Sequence, residues 1–273
     1  MIDPAAHRAE VEAWREDRYE ALRRDQGWLT LAGLAWLRLG ANRVGSARDN
    51  DVVLPAGPRH AGTLTLSGDG VVAAGDFRHE NAPADGLRIA DDHEGASEPT
   101  LLELDGLRLI VIRRGDRLGV RTWDLDAPLR RDFTGIDHWP VDPAWRLAAA
   151  FEATPDRTLH VPDVLGPGYE EASPGDVVFR VGDRQHRLQA MPGGPGGELW
   201  LIFGDATNGI ETYAGGRFLY TGPPDGEGGV VVDFNRAYNP PCVFSPYATC
   251  PLPWPANRLD VRIEAGEKTF RRP

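Results

Sequence analysis

Basic residues are scarce in this chain. Lys and Arg number 30 against 41 Asp and Glu, giving a formal charge of -11 and a pI near 5.1. Phosphate binding needs a basic face, so nucleic acid is excluded as the main partner. Cysteine is almost missing: Cys242 and Cys250 are the only two, too few for a disulfide-dense secreted scaffold. Long apolar runs are missing as well. The longest clean runs are about five residues, where a membrane span needs roughly 20, so no membrane partner is expected. Met1 is followed by Ile2, Asp3, Pro4 and a charged stretch, without the basic segment and apolar core of a secretory signal. A soluble cytoplasmic protein is the expectation. Cofactor fingerprints are missing too: there is no G-x-x-x-x-G-K-[ST], G-x-S-x-G, H-E-x-x-H or strand–G-x-G-x-x-G–helix unit, so no cofactor is implied.

Turn formers are plentiful. Gly 32 and Pro 23 make up about a fifth of the 273 residues, which points to many short strands. Residues 3–26 read as one helix, with Asp3 as N-cap, Pro4 at the first helical position and Gly27 as the stop. Val11, Trp14, Ala21 and Leu22 form a partial apolar stripe that Arg18 interrupts, and the remaining charges read as a solvated face. From Trp28 the period changes to two. Strands are expected at Val52–Leu54, Thr63–Leu66, Val71–Ala73, Leu101–Leu104, Leu107–Arg113 and Leu118–Trp123. The turns are Asp69-Gly70, Asp105-Gly106 and Gly115-Asp116. Asp132–Trp145 has no clean period and reads as a crossover, with Arg146–Glu152 opening the next strand. Thr158–Val161, Asp176–Val181, Gln185–Gln189, Leu199–Phe203, Arg217–Tyr220, Val230–Phe234 and Leu259–Glu264 follow. The fold class is mostly β, with antiparallel sandwich or barrel-like layers and one N-terminal helix. Two regions are expected, 1–131 and 132–273, packed on each other.

Gly40-Ala-Asn42-Arg-Val44-Gly45-Ser46, then Asp49-Asn50-Asp51-Val52-Val-Leu54-Pro55, His60 and Gly62, resembles the opening of a forkhead-associated domain. That resemblance implies a β-sandwich that reads phosphothreonine. It covers some 25 residues and departs from the pattern at Ser46, where an arginine usually follows the glycine, and at Pro58-Arg59 before His60. Arg43 and Arg48 are the substitute cations. The simpler reading is a turn and a strand, with Gly45 at an unusual backbone angle.

Polar residues concentrate in Asp205–Phe218, Asp233–Cys242 and Ala265-Gly266-Glu267-Lys268. Asp205-Ala-Thr-Asn-Gly-Ile-Glu-Thr-Tyr213, Gly216-Arg-Phe-Leu-Tyr220, Asp233-Phe-Asn-Arg-Ala-Tyr-Asn-Pro-Pro-Cys242, Cys250-Pro-Leu-Pro253 and Asn257-Arg-Leu259 resemble the domain-of-unknown-function 1684 family. Gly27-Trp28-Leu29 and Gly40–Pro55 fit its N-terminal half, so the resemblance spans nearly the entire chain. It implies no reaction.

Glu211 and Asp233 have the chemistry of a general acid and base, with Arg217 between them. Pairing of these carboxylates with Arg217 and Arg236 is the favoured structural reading. Tyr213, Tyr238, Asn235 and Asn239 are candidate substrate-binding residues, and Tyr220 is a further one. Asn208-Gly209 suits a turn. A zinc site needs two ligands beyond Cys242 and Cys250, and His138, His160 and His186 are scattered, so no metal is assigned. A bridge between the cysteines would contribute only about 2–3 kcal/mol, and two buried thiols are the simpler reading. The first functional reading is a small-molecule pocket in the C-terminal half with hydrolase- or isomerase-like acid–base chemistry. The second is a non-catalytic ligand- or peptide-binding module. The two polar segments are expected to meet around a solvated cavity.

Overall fold

The structure, a computed structural model, describes residues 3–93 and 98–272. The chain is mostly β with one long N-terminal helix, α1 (Pro4–Arg23). Asp3 opens the helix, its Oδ1 accepting from Ala5 N at 3.2 Å. The helix ends at Arg23, before Gly27. No helix among the described residues is long and apolar enough to cross a membrane.

The chain divides into two compact units. The first comprises Glu20–Phe133 and Ser245–Ala248; the second comprises 3–19, Thr134–Phe244 and Thr249–Arg272. The first unit holds β1 (Leu31–Trp36), β2 (Gly40–Gly45), β3 (Val52–Val53), β4 (Gly62–Ser67), β5 (Gly70–Gly75), β6 (Arg78–His79), β7 (Ala82–Pro83), β8 (Arg88–Ile89), β9 (Leu102–Leu104), β10 (Leu107–Arg114) and β11 (Arg117–Asp124). These form two sheets, β1-β11-β10-β9-β6-β7 and β3-β2-β4-β5-β8, antiparallel except for β2 with β3. Inward residues at period two, such as Leu107, Leu109 and Val111 of β10, fill one core with Leu64, Val71, Ala73, Phe77 and Val120. Each side chain fully buried in this way contributes about 1.5–3 kcal/mol. The expected turns are present: Gly70 and Gly115 take positive φ, and so does Asp105.

Gly45 corrects the sequence reading. It is not among the residues with positive φ. Glycine is needed there because a Cβ would lie 2.3 Å from Arg59 O. Arg43, a candidate phosphate ligand, is held instead by Asp51, Nε to Oδ2 at 3.4 Å.

The second unit has one antiparallel sheet, ordered β16-β15-β14-β13-β12-β17. Its strands are β12 (Arg146–Val161), β13 (Tyr169–Val181), β14 (Arg184–Pro192), β15 (Leu199–Phe203), β16 (Arg217–Thr221) and β17 (Gly229–Asp233). One face carries Val177, Phe179, Leu188, Leu201, Phe203, Leu219 and Val232 into a core completed by Phe234, Ile263 and Ala265. On β15 and β16 the alternate residues Trp200, Phe218 and Tyr220 form an aromatic layer with Tyr238 and Trp14. The expected strand at Leu259–Glu264 is absent: that segment carries no strand assignment. Leu259 N donates to Gly204 O at 2.8 Å and Ala206 N to Val261 O at 3.0 Å, while the N–H and C=O of Ile263 pair with side chains, as described next.

Candidate functional site

Of the expected site residues, Arg217, Asp233, Asn235, Tyr238 and Asn239 fall into three networks within the second unit, and Glu211 and Tyr213 lie outside them. Arg217, at the start of β16, is fully buried. Its Nη2 lies 3.2 Å from Asp205 Oδ2 and donates to Ile263 O at 2.9 Å, while Nη1 donates to Ala265 O. Asp205 also accepts from Ile263 N at 2.7 Å and from Thr207 Oγ1 at 2.8 Å. Burial pushes the Arg217 guanidinium down and Asp205 opposes that shift. The buried arginine and carboxylate thus satisfy Ile263 N, Ile263 O and Ala265 O, which no strand ladder pairs. Asn208 Nδ2 donates to Thr212 Oγ1 at 2.8 Å within the adjoining turn.

Glu211 is not a partner of Arg217. Its carboxylate pairs at 2.6 Å with Arg262, in a partly exposed position. Arg236 pairs with Glu10 of α1 at 3.5 Å, rather than with a carboxylate of the C-terminal half.

Asp233 ends β17 and has its own network. His7 Nε2 meets Asp233 Oδ2 at 2.7 Å, and Asn235 Nδ2 donates to Asp233 Oδ1 at 2.9 Å. Asn235 Oδ1 accepts from Asp142 N at 2.9 Å.

Tyr238 and Asn239 belong to a third network centred on Glu267. The segments around His138 and Glu267 pair as an antiparallel bridge, and Glu267 N donates to Ala237 O at 2.8 Å. The Glu267 carboxylate is fully buried. Arg18 engages it twice: Nε reaches Oε1, and Nη2 reaches Oε2 at 3.1 Å. Asn239 N donates to Oε2 at 2.7 Å. Arg18 Nη2 also donates to Asn239 O at 3.0 Å, and the guanidinium carbon sits 4.4 Å from the Tyr238 ring centre. Burial raises the Tyr238 phenol, with Tyr220 adding to the shift. His7, Val11, Trp14 and Arg18 recur on one face of α1. The stripe that Arg18 interrupts in the sequence is therefore an interior face with two polar anchors, His7 and Arg18.

Arg15, Tyr19 and His138 complete this cluster. Arg15 Nη2 donates to Trp139 O at 3.2 Å, and Tyr19 Oη donates to Ile136 O at 3.1 Å. His138 Nδ1 lies 2.6 Å from Ile136 O. A carbonyl only accepts, so Nδ1 carries the proton and Nε2 of the neutral ring is an acceptor. Burial, then the charge of Arg15, pushes His138 down to about 4. Lys268, the single lysine of the chain, places Nζ 5.1 Å from the Trp139 ring centre. Arg217 lies 5.6 Å from that ring. Three polar atoms of the cluster, His138 Nε2, Asn239 Oδ1 and Arg15 Nε, are shielded from solvent and have no hydrogen-bond partner.

Tyr213 lies apart from this cluster, near the two cysteines. Burial raises its phenol, and Cys242 and Cys250 add to the effect. Among the described residues, Asp91, Asp92 and His93 form the one group with metal-ligand spacing. Its carboxylates are already neutralised: Arg113 pairs with Asp91, and Arg114 with Asp92 at 2.7 Å.

Residues 131–268 match the family described as a protein of unknown function, DUF1684. The chain belongs to that family. The match carries all three networks on the sheet side, and it begins after Gly27-Trp28-Leu29 and Gly40–Pro55, so it covers the C-terminal half rather than the whole chain. An uncharacterized protein of Haloarcula marismortui, solved by solution NMR, is 28% identical; the alignment covers 51% of this chain and 79% of that one, with a TM-score of 0.42. No curated protein matches the DUF1684 chain.

Proposed function

We propose that the second unit binds a small polar molecule at the cluster of Arg15, His138, Asn239 and Glu267. The observation that carries this reading is the set of three buried, unpartnered polar atoms around one carboxylate. Leaving such an atom unpaired costs roughly 1–3 kcal/mol, and native proteins rarely tolerate several together. The set also specifies the ligand. His138 Nε2 and Asn239 Oδ1 accept, so the ligand supplies hydroxyl, amine or amide donors. Arg15 Nε donates, so the ligand supplies one carbonyl or anionic oxygen. Tyr238 and Asn239 come from the expected binding set, and Arg217 packs 5.6 Å from the Trp139 ring centre. The low His138 value favours hydrogen-bond acceptance over proton abstraction, because a general base works best near the operating pH. Binding is therefore favoured over acid–base catalysis by Glu211 and Asp233.

A screen of polyhydroxylated and amino-acid metabolites, read by the His138 imidazole NMR signals, tests the reading. Binders should shift those signals and raise Tm by mass action. They should lose the Tm effect in His138→Ala and both effects in Asn239→Ala, while keeping both in Glu211→Ala. Binders that leave His138 unperturbed would place the site elsewhere.

A second reading has its own observation. In the first unit a cleft of about 670 Å³ is lined by Leu39, Leu66, Leu118, Arg88 and Arg113 beside the β4–β5 turn. Asp69 and Asp116 also line it, so it suits a ligand with an apolar body and polar groups of either sign, as a non-catalytic binding module would hold. Binding that is lost in Arg88→Ala and unchanged in His138→Ala would favour it.

A further inference from the structure

Cys242 and Cys250 have seven residues between them and are in contact. The backbone N–H of Cys242 donates to Cys250 Sγ at 3.1 Å, so the 3-10 turn Pro241–Val243 folds the first cysteine back over the second. Both carry thiols rather than a disulfide. Their exposures differ: Cys242 is half-buried, whereas Cys250 is 4% exposed. Among the described residues no His, Asp or Glu ligand atom joins the two sulfurs at metal-binding range. The pair is therefore arranged neither as a closed metal site nor as two unrelated packing residues.

We propose that Cys242 and Cys250 form a reversible dithiol–disulfide pair that reacts with hydroperoxides. The Cys242 thiolate attacks the peroxide O–O bond and takes one oxygen, giving the sulfenic acid and releasing hydroxide or alkoxide. The Cys250 sulfur then attacks the Cys242 sulfur. The S–O bond breaks, water leaves with the Cys250 proton, and the S–S bond forms. Two electrons pass from the two sulfurs to the peroxide, and an external dithiol returns them by exchange. The roles follow from access: the half-buried sulfur meets the oxidant, and the buried one resolves it. A hydrogen bond from Cys250 holds the Cys242 thiol below its ordinary value against the opposing effect of burial, which favours the nucleophilic thiolate.

The test treats the full-length reduced protein with a small excess of hydrogen peroxide and follows intact mass and alkylation of each cysteine. The expected result is loss of both alkylation sites in step, with a mass decrease of about 2 Da for the two hydrogens removed, reversed by dithiothreitol. Before oxidation, Cys242 should alkylate at least about 10-fold faster than Cys250. In Cys250→Ser, dimedone should trap a sulfenic acid at Cys242. In Cys242→Ser, Cys250 should stay unoxidised while the protein is folded. Mass gain at Cys242 with Cys250 still alkylable in the wild-type chain would overturn the proposal, and so would equal reactivity of the two thiols. The wild-type measurement decides the matter even if a serine variant fails to fold.

Discussion

His7 and Asp233 are separated by 226 residues and meet at 2.7 Å with the histidine fully buried. The contact fixes the first turns of α1 to the end of β17 and leaves Asp233 Oδ1 to hold Asn235. It turns a candidate catalytic carboxylate into a structural anchor for the start of the chain.

Asp233→Ala removes the acceptor for both partners. It should lower unfolding stability by about 2–4 kcal/mol, because His7 and Asn235 are then left with buried unpaired groups. Urea denaturation with an unchanged slope is the check, and deletion of residues 1–9 should give a loss of similar size. A change below about 0.5 kcal/mol would mean that the contact is dispensable.

Arg217→Ala should be more severe, about 3–5 kcal/mol, since it strands the buried Asp205 carboxylate and two carbonyls. The paired replacement Arg217→Met with Asp205→Leu should recover part of that loss, because two apolar residues leave no charge unpaired. Midpoints of urea unfolding for the three variants separate a structural network from a ligand contact.

The Arg18–Glu267 pair lends itself to a double-mutant cycle. Arg18→Met, Glu267→Gln and the double variant should give a coupling energy of about 2–3 kcal/mol, in the range for contacting residues in one network.

His138 makes stability depend on pH in a defined direction. Its folded-state value, about 4, lies below the ordinary 6.5, so the folded protein favours the neutral ring. The contribution is complete above pH 6.5 and is lost as pH falls from there to about 4. It amounts to at most about 3 kcal/mol, at 1.36 kcal/mol for each unit of difference. His138→Gln should flatten the stability profile across that window. In NMR titration the wild-type ring should show no protonation above pH 5.5, roughly a unit and a half over its folded value.

The sheet was legible because its strands obey the period-two rule. Leu199–Phe203 has the expected bounds, with Leu201 and Phe203 inside and Trp200 on the other face. Leu259–Glu264 alternates just as well, yet it forms no strand. The N–H and C=O of Ile263 are taken by the side chains of Asp205 and Arg217, a tertiary substitution that no local pattern announces. The Glu267 cluster was half legible. Tyr238 and Asn239 stood out within a polar segment, whereas His138 was isolated in a stretch without a period. Arg18 reads in the sequence only as a break in an apolar stripe. The available signal was phase: His7, Val11, Trp14 and Arg18 share a face, so a charge in register with buried residues calls for a buried counter-charge. Glu211 misled for the opposite reason, because its cation, Arg262, lies 51 residues along the chain.

The second unit is assembled from three separate stretches, and this has a consequence for any attempt to divide the gene. An expression fragment cut to the family boundaries, 131–268, would carry Asp233 and Glu267 but neither His7 nor Arg18. Two carboxylates would then each lose a side-chain partner inside the fragment. The portion that the family shares is thus incomplete as a folding module in this chain, and residues 3–19 act as an inbuilt complement to it. Supplying a peptide of residues 1–26 to such a fragment should restore its fold, as a missing subunit would.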